Sequence, residues 1–146
     1  MCVQSPRRKM IMKPLLVLLL CFASIAVQSA PPCEKCDMKI VETTRDSLSS
    51  LNFERVENFL CTFDKSCAGD FEFYRASNET LFDLIYHVPE LFLKVLQYGD
   101  LQNHEVIMDE LGTPASAGID VEVIRMKIKK QDEKYMYKHD VLSALD

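Results

Sequence analysis

The sequence predicts an all-α fold: a small irregular bundle of about six short helices, with its first helix pair stapled by two disulfides. Apolar residues recur at three- and four-residue spacing along most of the chain. Short polar or Gly- and Pro-containing segments separate these stretches, and four cysteines follow the N-terminal apolar segment. With 48% hydrophobic and 27% charged residues and only 4 Gly among 146, the composition is that of a globular chain rather than a disordered one.

The first 29 residues have the pattern of a cleavable signal peptide. Basic side chains at positions 7–13 precede an apolar stretch over residues 15–27. This order is typical of a secretory leader, and the stretch is shorter than the roughly 20 residues of a membrane-spanning helix. Val27 and Ser29 fit the −3 and −1 positions, so cleavage is expected before Ala30. An uncleaved signal anchor is the alternative.

The charge of the mature domain, residues 30–146, argues against a nucleic-acid partner. Cleavage leaves 13 basic and 22 acidic side chains, a formal charge of −9, whereas phosphate backbones favour a basic protein surface. Only the segment 125–138 is locally basic, with six basic residues and two acids. We therefore expect a secreted, extracellular domain that does not bind nucleic acid and has no stable membrane insertion after signal cleavage.

The first helix pair is predicted over residues 33–48 and 53–63. Both stretches carry apolar residues at helical spacing. Between them, Ser49 and Ser50 with Asn52 form a turn or N-cap cluster. A short connection between two matched apolar stripes predicts an antiparallel helix pair.

Turn and capping residues predict the helices that follow. Helix starts are predicted at the Ser77-Asn78 N-cap pair, Pro89, Asn103, Asp120 and Lys138. Helix ends are predicted at Pro89, Gly99 and Gly112. Residues 120–130 also allow a strand alternation, and helix and strand both remain open for that segment.

Four cysteines, Cys33, Cys36, Cys61 and Cys67, are expected to form two disulfides, because an even number in a small secreted domain is typical of structural cross-links. A hairpin that turns near residues 49–50 favours the nested pairing, Cys33–Cys67 with Cys36–Cys61, because both pairs are centred on the turn. The crossed pairing, Cys33–Cys61 with Cys36–Cys67, is one alternative. The local pairing, Cys33–Cys36 with Cys61–Cys67, is the other, and it strains a helix.

The motif Cys33-Glu34-Lys35-Cys36 also allows a redox pair or a zinc site. A thioredoxin-like pair follows a strand and opens a helix, whereas this motif follows a Pro-Pro step. A zinc site fits poorly, because the second cysteine pair has C-x5-C rather than C-x2-C spacing. The two spacings resemble the first and last cysteine pairs of saposin-like proteins. Only 24 residues separate the pairs here and that family's middle pair is missing, so lipid binding is not carried over.

One modification site is predicted. Asn78-Glu79-Thr80 is an N-glycosylation sequon at a predicted helix start, which should be exposed. In a eukaryotic host, we expect Asn78 to carry a glycan.

Catalytic and metal-binding patterns are missing from the sequence. His87, His104 and His139 lack the spacing of a metal site. The acids Asp109 and Glu110 are spaced as a solvated helix face, and the chain has neither a nucleophile elbow nor a phosphate loop. No catalytic, cofactor-binding or metal-ligating residue is therefore predicted.

An unusually apolar stripe of residues between positions 81 and 96 could form either core or a binding groove. Its members are Leu81, Phe82, Ile85, Leu91, Phe92, Val95 and Leu96. Core packing is the expected role, and a groove for a lipid or a partner helix is the alternative. We expect a secreted non-enzymatic protein that acts by extracellular protein–protein interaction, and alternatively a small carrier of a lipid or other apolar ligand between helices. An exposed apolar patch on a filled core would favour the first, and a surplus internal cavity would favour the second.

Overall fold

The computed structural model describes residues 33–146, so the predicted signal peptide, residues 1–29, lies outside the described part of the chain. The described residues form seven α-helices and two short 3-10 turns, without a strand. The helices are α1 Met38–Asp46, α2 Phe53–Cys61, α3 Phe71–His87, α4 Pro89–Tyr98, α5 His104–Gly112, α6 Val121–Lys129 and α7 Lys138–Ala144. The 3-10 turns cover Leu48–Ser50 and Lys65–Gly69. The all-α prediction is confirmed, and the open segment 120–130 is helical.

Polar side chains fix the starts of several helices. Asp37 accepts a hydrogen bond from the N–H of Lys39 at 2.8 Å to begin α1. Asn52 and Asp120 cap α2 and α6 in the same manner, and Pro89 is the first residue of α4. Such caps satisfy N–H groups that have no partner within the helix, and each contributes about 1 kcal/mol.

The predicted helix start at Ser77-Asn78 is wrong. α3 runs without interruption for 17 residues from its cap at Asp70. Ser77 is buried, and its hydroxyl donates to the carbonyl of Tyr74 within the same helix. Both Ser77 and Asn78 face the protein interior, so burial overrides their capping preference.

Each α-helix contributes one face to the core, and α3 packs against α1, α4, α5 and α6. The apolar stripe predicted from the sequence belongs to this core. Six of its seven members are buried, and Leu91 is half-buried and packed against the others. Within residues 33–146, no helix has the length and apolar character needed to span a bilayer.

Two disulfides hold the first helix pair, and their connectivity corrects the prediction. The bonds are Cys33–Cys61 and Cys36–Cys67, so the nested pairing is wrong and the crossed alternative is the one found. The nested pairing assumed that the first two cysteines lie on a helix, but both precede α1. Cys36 has a left-handed backbone, with φ 55°, and its N–H donates to the carbonyl of Thr62 at 2.9 Å. Cys33 and Cys36 are thus each bonded to a different cysteine of the second pair, and they are not bonded to one another as a redox pair would be.

Candidate functional site

A cleft of about 380 Å³ lies between the Lys65–Gly69 turn, the start of α3 and one side of α5. We call it the acidic cleft. It is lined by Phe63, Asp64, Lys65, Cys67, Ala68, Phe73, Tyr74, Val106, Asp109 and Glu110. Its size lies at the lower end of the range for small-molecule sites, which suits one side chain or a short peptide segment.

The floor of the acidic cleft is apolar. The rings of Phe63 and Phe73 are almost entirely buried and meet edge to face, with their centroids 6.5 Å apart. Val106 on α5 is half-buried, and Ala68 on the 3-10 turn is exposed. A hydrocarbon group entering the cleft would therefore contact apolar atoms and leave water.

Several interactions fix the turn that forms one wall. Asp64 accepts hydrogen bonds from the N–H of Ser66 at 2.9 Å and from its hydroxyl at 2.7 Å. These two bonds hold the pKa of Asp64 below its ordinary value. The disulfide at Cys67 ties the turn to the N-terminal segment, and Asn103 Nδ2 donates to the carbonyl of Phe63 at 2.7 Å. The wall is thus rigid, and Asp64 carries its charge at neutral pH.

The opposite wall holds a half-buried carboxylate, Glu110. Burial raises its pKa, and the nearby charge of Asp109 adds to this effect. Asn78 Nδ2 donates to Glu110 Oε2 at 2.9 Å, which lowers the pKa in part. Lys65, the one cation in the described lining, pairs with Glu105 at 3.3 Å. The expectation that residues 109 and 110 form a solvated helix face therefore holds for Asp109 and is wrong for Glu110.

Asn78 is fully buried, so its predicted exposure at a helix start is wrong. Its Nδ2 also donates to the backbone carbonyl of Glu110 at 2.9 Å. Its Oδ1 accepts from the N–H of Ala115 at 2.9 Å, which ties α3 to the loop after α5. A glycan on Nδ2 would need space that this interior position lacks. Glycosylation stays a prediction, and these contacts argue against it.

The histidines make packing contacts. His104 Nε2 lies 2.8 Å from the carbonyl oxygen of Leu96, and the ring stacks on Tyr137 with centroids 4.6 Å apart. His87 packs edge-on against Tyr86, and His139 is exposed. Within residues 33–146, no three His, Cys, Asp or Glu side chains are grouped as a metal site requires.

Comparisons with protein-family models, with curated proteins and with solved structures find no match to this chain. The chemistry of the acidic cleft is therefore the basis for its proposed function.

Proposed function

We propose that this chain is a secreted, non-enzymatic binding protein whose acidic cleft receives a basic side chain of an extracellular protein. The observation that carries this proposal is the combination of an apolar floor with a half-buried carboxylate, Glu110, in one cleft. Lys and Arg have an apolar stem and a cationic head. The stem would cover Ala68 and Val106, which keep apolar surface exposed in the cleft, while the head neutralises Glu110 and Asp109.

An extracellular location is supported by the disulfides. The two bonds, Cys33–Cys61 and Cys36–Cys67, are of a kind that persists in oxidising compartments. Secretion itself depends on the leader pattern in residues 1–29.

A protein partner fits better than an apolar cargo. The stripe that suggested a carrier groove is occupied in the core by side chains of this chain itself. In the acidic cleft, charged groups such as Lys65 and Asp109 are exposed at the edge, and a lipid tail would desolvate them without compensation. A basic side chain reduces that penalty by pairing with the carboxylates.

The hydrogen bonds of the cleft hold its carboxylates in place as acceptors. Glu110 accepts from Asn78 and Asp64 accepts from Ser66. An ionised carboxylate has further acceptor positions beyond such bonds, so both groups can still pair with a cationic side chain.

A peptide titration tests this proposal. The probes are short peptides with a central Lys or Arg between Leu or Phe residues, and matched peptides in which norleucine replaces the Lys. We expect the basic peptides to shift the amide resonances of Ala68, Val106 and Glu110. Norleucine keeps the apolar stem but has no charge, so we expect binding at least about tenfold weaker, or about 1.4 kcal/mol.

Variants locate the site. Glu110→Gln should weaken binding of the Lys peptide and leave that of the norleucine peptide unchanged. Asp83→Asn, which removes an exposed acid of α3 outside the cleft, is the matched control and should bind as the wild type does. Equal affinity for Lys and norleucine peptides, or resonance shifts confined to other surfaces, would contradict the proposal.

A further inference from the structure

A second surface carries the most exposed of the large apolar side chains in residues 33–146. Phe71, the first residue of α3, is 74% exposed. It borders a cleft of about 350 Å³ between α1 and α3 to which Met38 and Ala76 add further apolar atoms. We call this surface the α1–α3 face. Phe71, Met38 and Ala76 line the same cleft, and adjoining apolar side chains with exposed surface, rimmed by charged groups, are typical of an interaction surface.

The charges on the α1–α3 face have both signs. α3 contributes Glu72, Arg75 and Glu79, and α1 contributes Glu42 and Arg45. Glu72 precedes Arg75, and Glu42 precedes Arg45, by three residues, so the members of each pair lie on the same side of their helix about one turn apart. A uniformly acidic or uniformly basic partner would oppose some of these groups. A second copy of the same face, reversed in direction, would set acids against bases.

We propose that this face joins two copies of the chain in a two-fold symmetric dimer, with the two α3 helices antiparallel. When the symmetry axis passes between positions 73 and 74, Glu72 lies at the level of Arg75 of the partner subunit, because the two positions are equally far from the axis. Phe71 then lies at the level of Ala76 of the partner subunit, where a small side chain leaves room for the ring. Symmetry repeats each contact, as in an isologous interface.

The existing contacts of Arg75 leave it free to pair with a second copy of the chain. Arg75 pairs with Glu79 at 3.5 Å, and the arginine side chain is largely exposed. Exposed pairs of this kind contribute about 0–1 kcal/mol, so the guanidinium can turn to the second copy at little cost. Burial of two Phe71 rings supplies the apolar contribution.

Sedimentation velocity from about 1 µM to about 1 mM, the range of a weak association, tests the dimer. We expect the wild type to pass from monomer to dimer in this range, and Phe71→Ser to weaken the dimer at least tenfold. Tyr98→Ser, which removes an aromatic side chain that is 66% exposed elsewhere, is the control and should dimerise as the wild type does. A wild type that is monomeric throughout, or a Phe71→Ser variant that dimerises normally, would overturn the proposal.

A charge-reversal experiment tests the arrangement of the helices. Glu72→Arg and Arg75→Glu should each abolish the homodimer by placing like charges opposite one another. A mixture of the two single variants should form a heterodimer, and the double variant should dimerise again. Since Glu72 also lies in the first turn of α3, Glu54→Arg in the first turn of α2 is the control for a changed helix start. A mixture of the single variants that stays monomeric would overturn the antiparallel pairing.

Discussion

Replacing Asn78 with Ala should strongly destabilise the fold, because this side chain joins α3 to the end of α5 and the loop beyond it. In the native state the amide donates to the backbone and carboxylate oxygens of Glu110 and accepts from the N–H of Ala115. Ala makes none of these bonds. Ala is also a better helix former than Asn, so a loss of stability in this variant reports the lost connection and not a weaker α3.

The size of the effect follows from what each partner can do afterwards. The carbonyl of Glu110 keeps a hydrogen bond from the N–H of Thr113 at 3.4 Å, and the half-buried carboxylate can turn to water. The N–H of Ala115 loses its partner, which costs about 1–3 kcal/mol. The cavity adds to this, so we expect a total of about 2–4 kcal/mol. At roughly 4 °C per kcal/mol for a domain of this size, the melting midpoint should fall by about 8–16 °C.

Thr80→Val is the matched control, because it destroys the same sequon and leaves Asn78 in place. Thr80 Oγ1 is buried and has no hydrogen-bond partner among residues 33–146. Val replaces this hydroxyl with a methyl group of similar size, so the free energy of unfolding should stay equal or rise by up to about 1 kcal/mol.

The wild type, Asn78→Ala and Thr80→Val are produced in a eukaryotic secretory host. Chemical and thermal unfolding then measure the stability that Asn78 contributes, and the intact mass shows whether Asn78 carries a glycan. We expect wild type and Thr80→Val to have the masses of unmodified chains that begin at Ala30. Asn78→Ala within about 0.5 kcal/mol of the wild type, the ordinary spread of surface substitutions, would refute the structural role of Asn78. A glycan on Asn78 of the folded wild type would refute the interior placement.

The remaining expectations concern Glu110 and the disulfides. Since burial raises the pKa of Glu110, the native state favours the protonated form, and stability falls as pH rises from the ordinary pKa of an unfolded Glu through the raised native value. Glu110→Gln should therefore be more stable than the wild type in urea melts at pH 7 and equal to it below about pH 4; an advantage that persists in acid would contradict this cause. Peptide mapping of secreted protein under non-reducing, acidic conditions should recover peptides that link residue 33 to 61 and 36 to 67, and the nested links would contradict the structure. Replacing both Cys36 and Cys67 with Ser should lower the free energy of unfolding by about 3–4 kcal/mol, given the sequence separation of 31. An unchanged melting midpoint would show that this disulfide does not stabilise the fold.

Helix type and most helix limits were accessible from the sequence because their signals are local. The start of α4 at Pro89 and the caps of α2 and α6 at Asn52 and Asp120 lie beside the turns they govern. The start of α5 after Asn103 was also predicted, although for an incomplete reason. The Asn103 side chain does not cap the helix but donates to carbonyls at the end of α2.

The disulfide pairing and the acidic cleft depend on contacts that no local pattern encodes. The nested pairing is wrong because the chain turns at Cys36 and α1 begins only at Met38, so neither Cys33 nor Cys36 lies on the helix. Asn78 and Glu110 are 32 residues apart in sequence and meet only through the packing of α3 on α5. Polarity alone suggested exposed positions for both. A buried amide facing a carboxylate is visible only once the helices are packed.

Glu110 connects the stability of this fold with its proposed function. A neutral side chain at this position would retain an acceptor for Asn78 and would avoid the cost of a half-buried charge, so stability alone favours Gln. Binding of a cationic partner favours Glu instead, because only a carboxylate can form an ion pair with the partner. That ion pair exists only in the complex, so it does not stabilise the free protein. Glu110→Gln should therefore be more stable and bind the Lys peptide more weakly, two opposite effects of one substitution. A variant that gains stability and keeps full affinity would show that the charge of Glu110 has no part in binding.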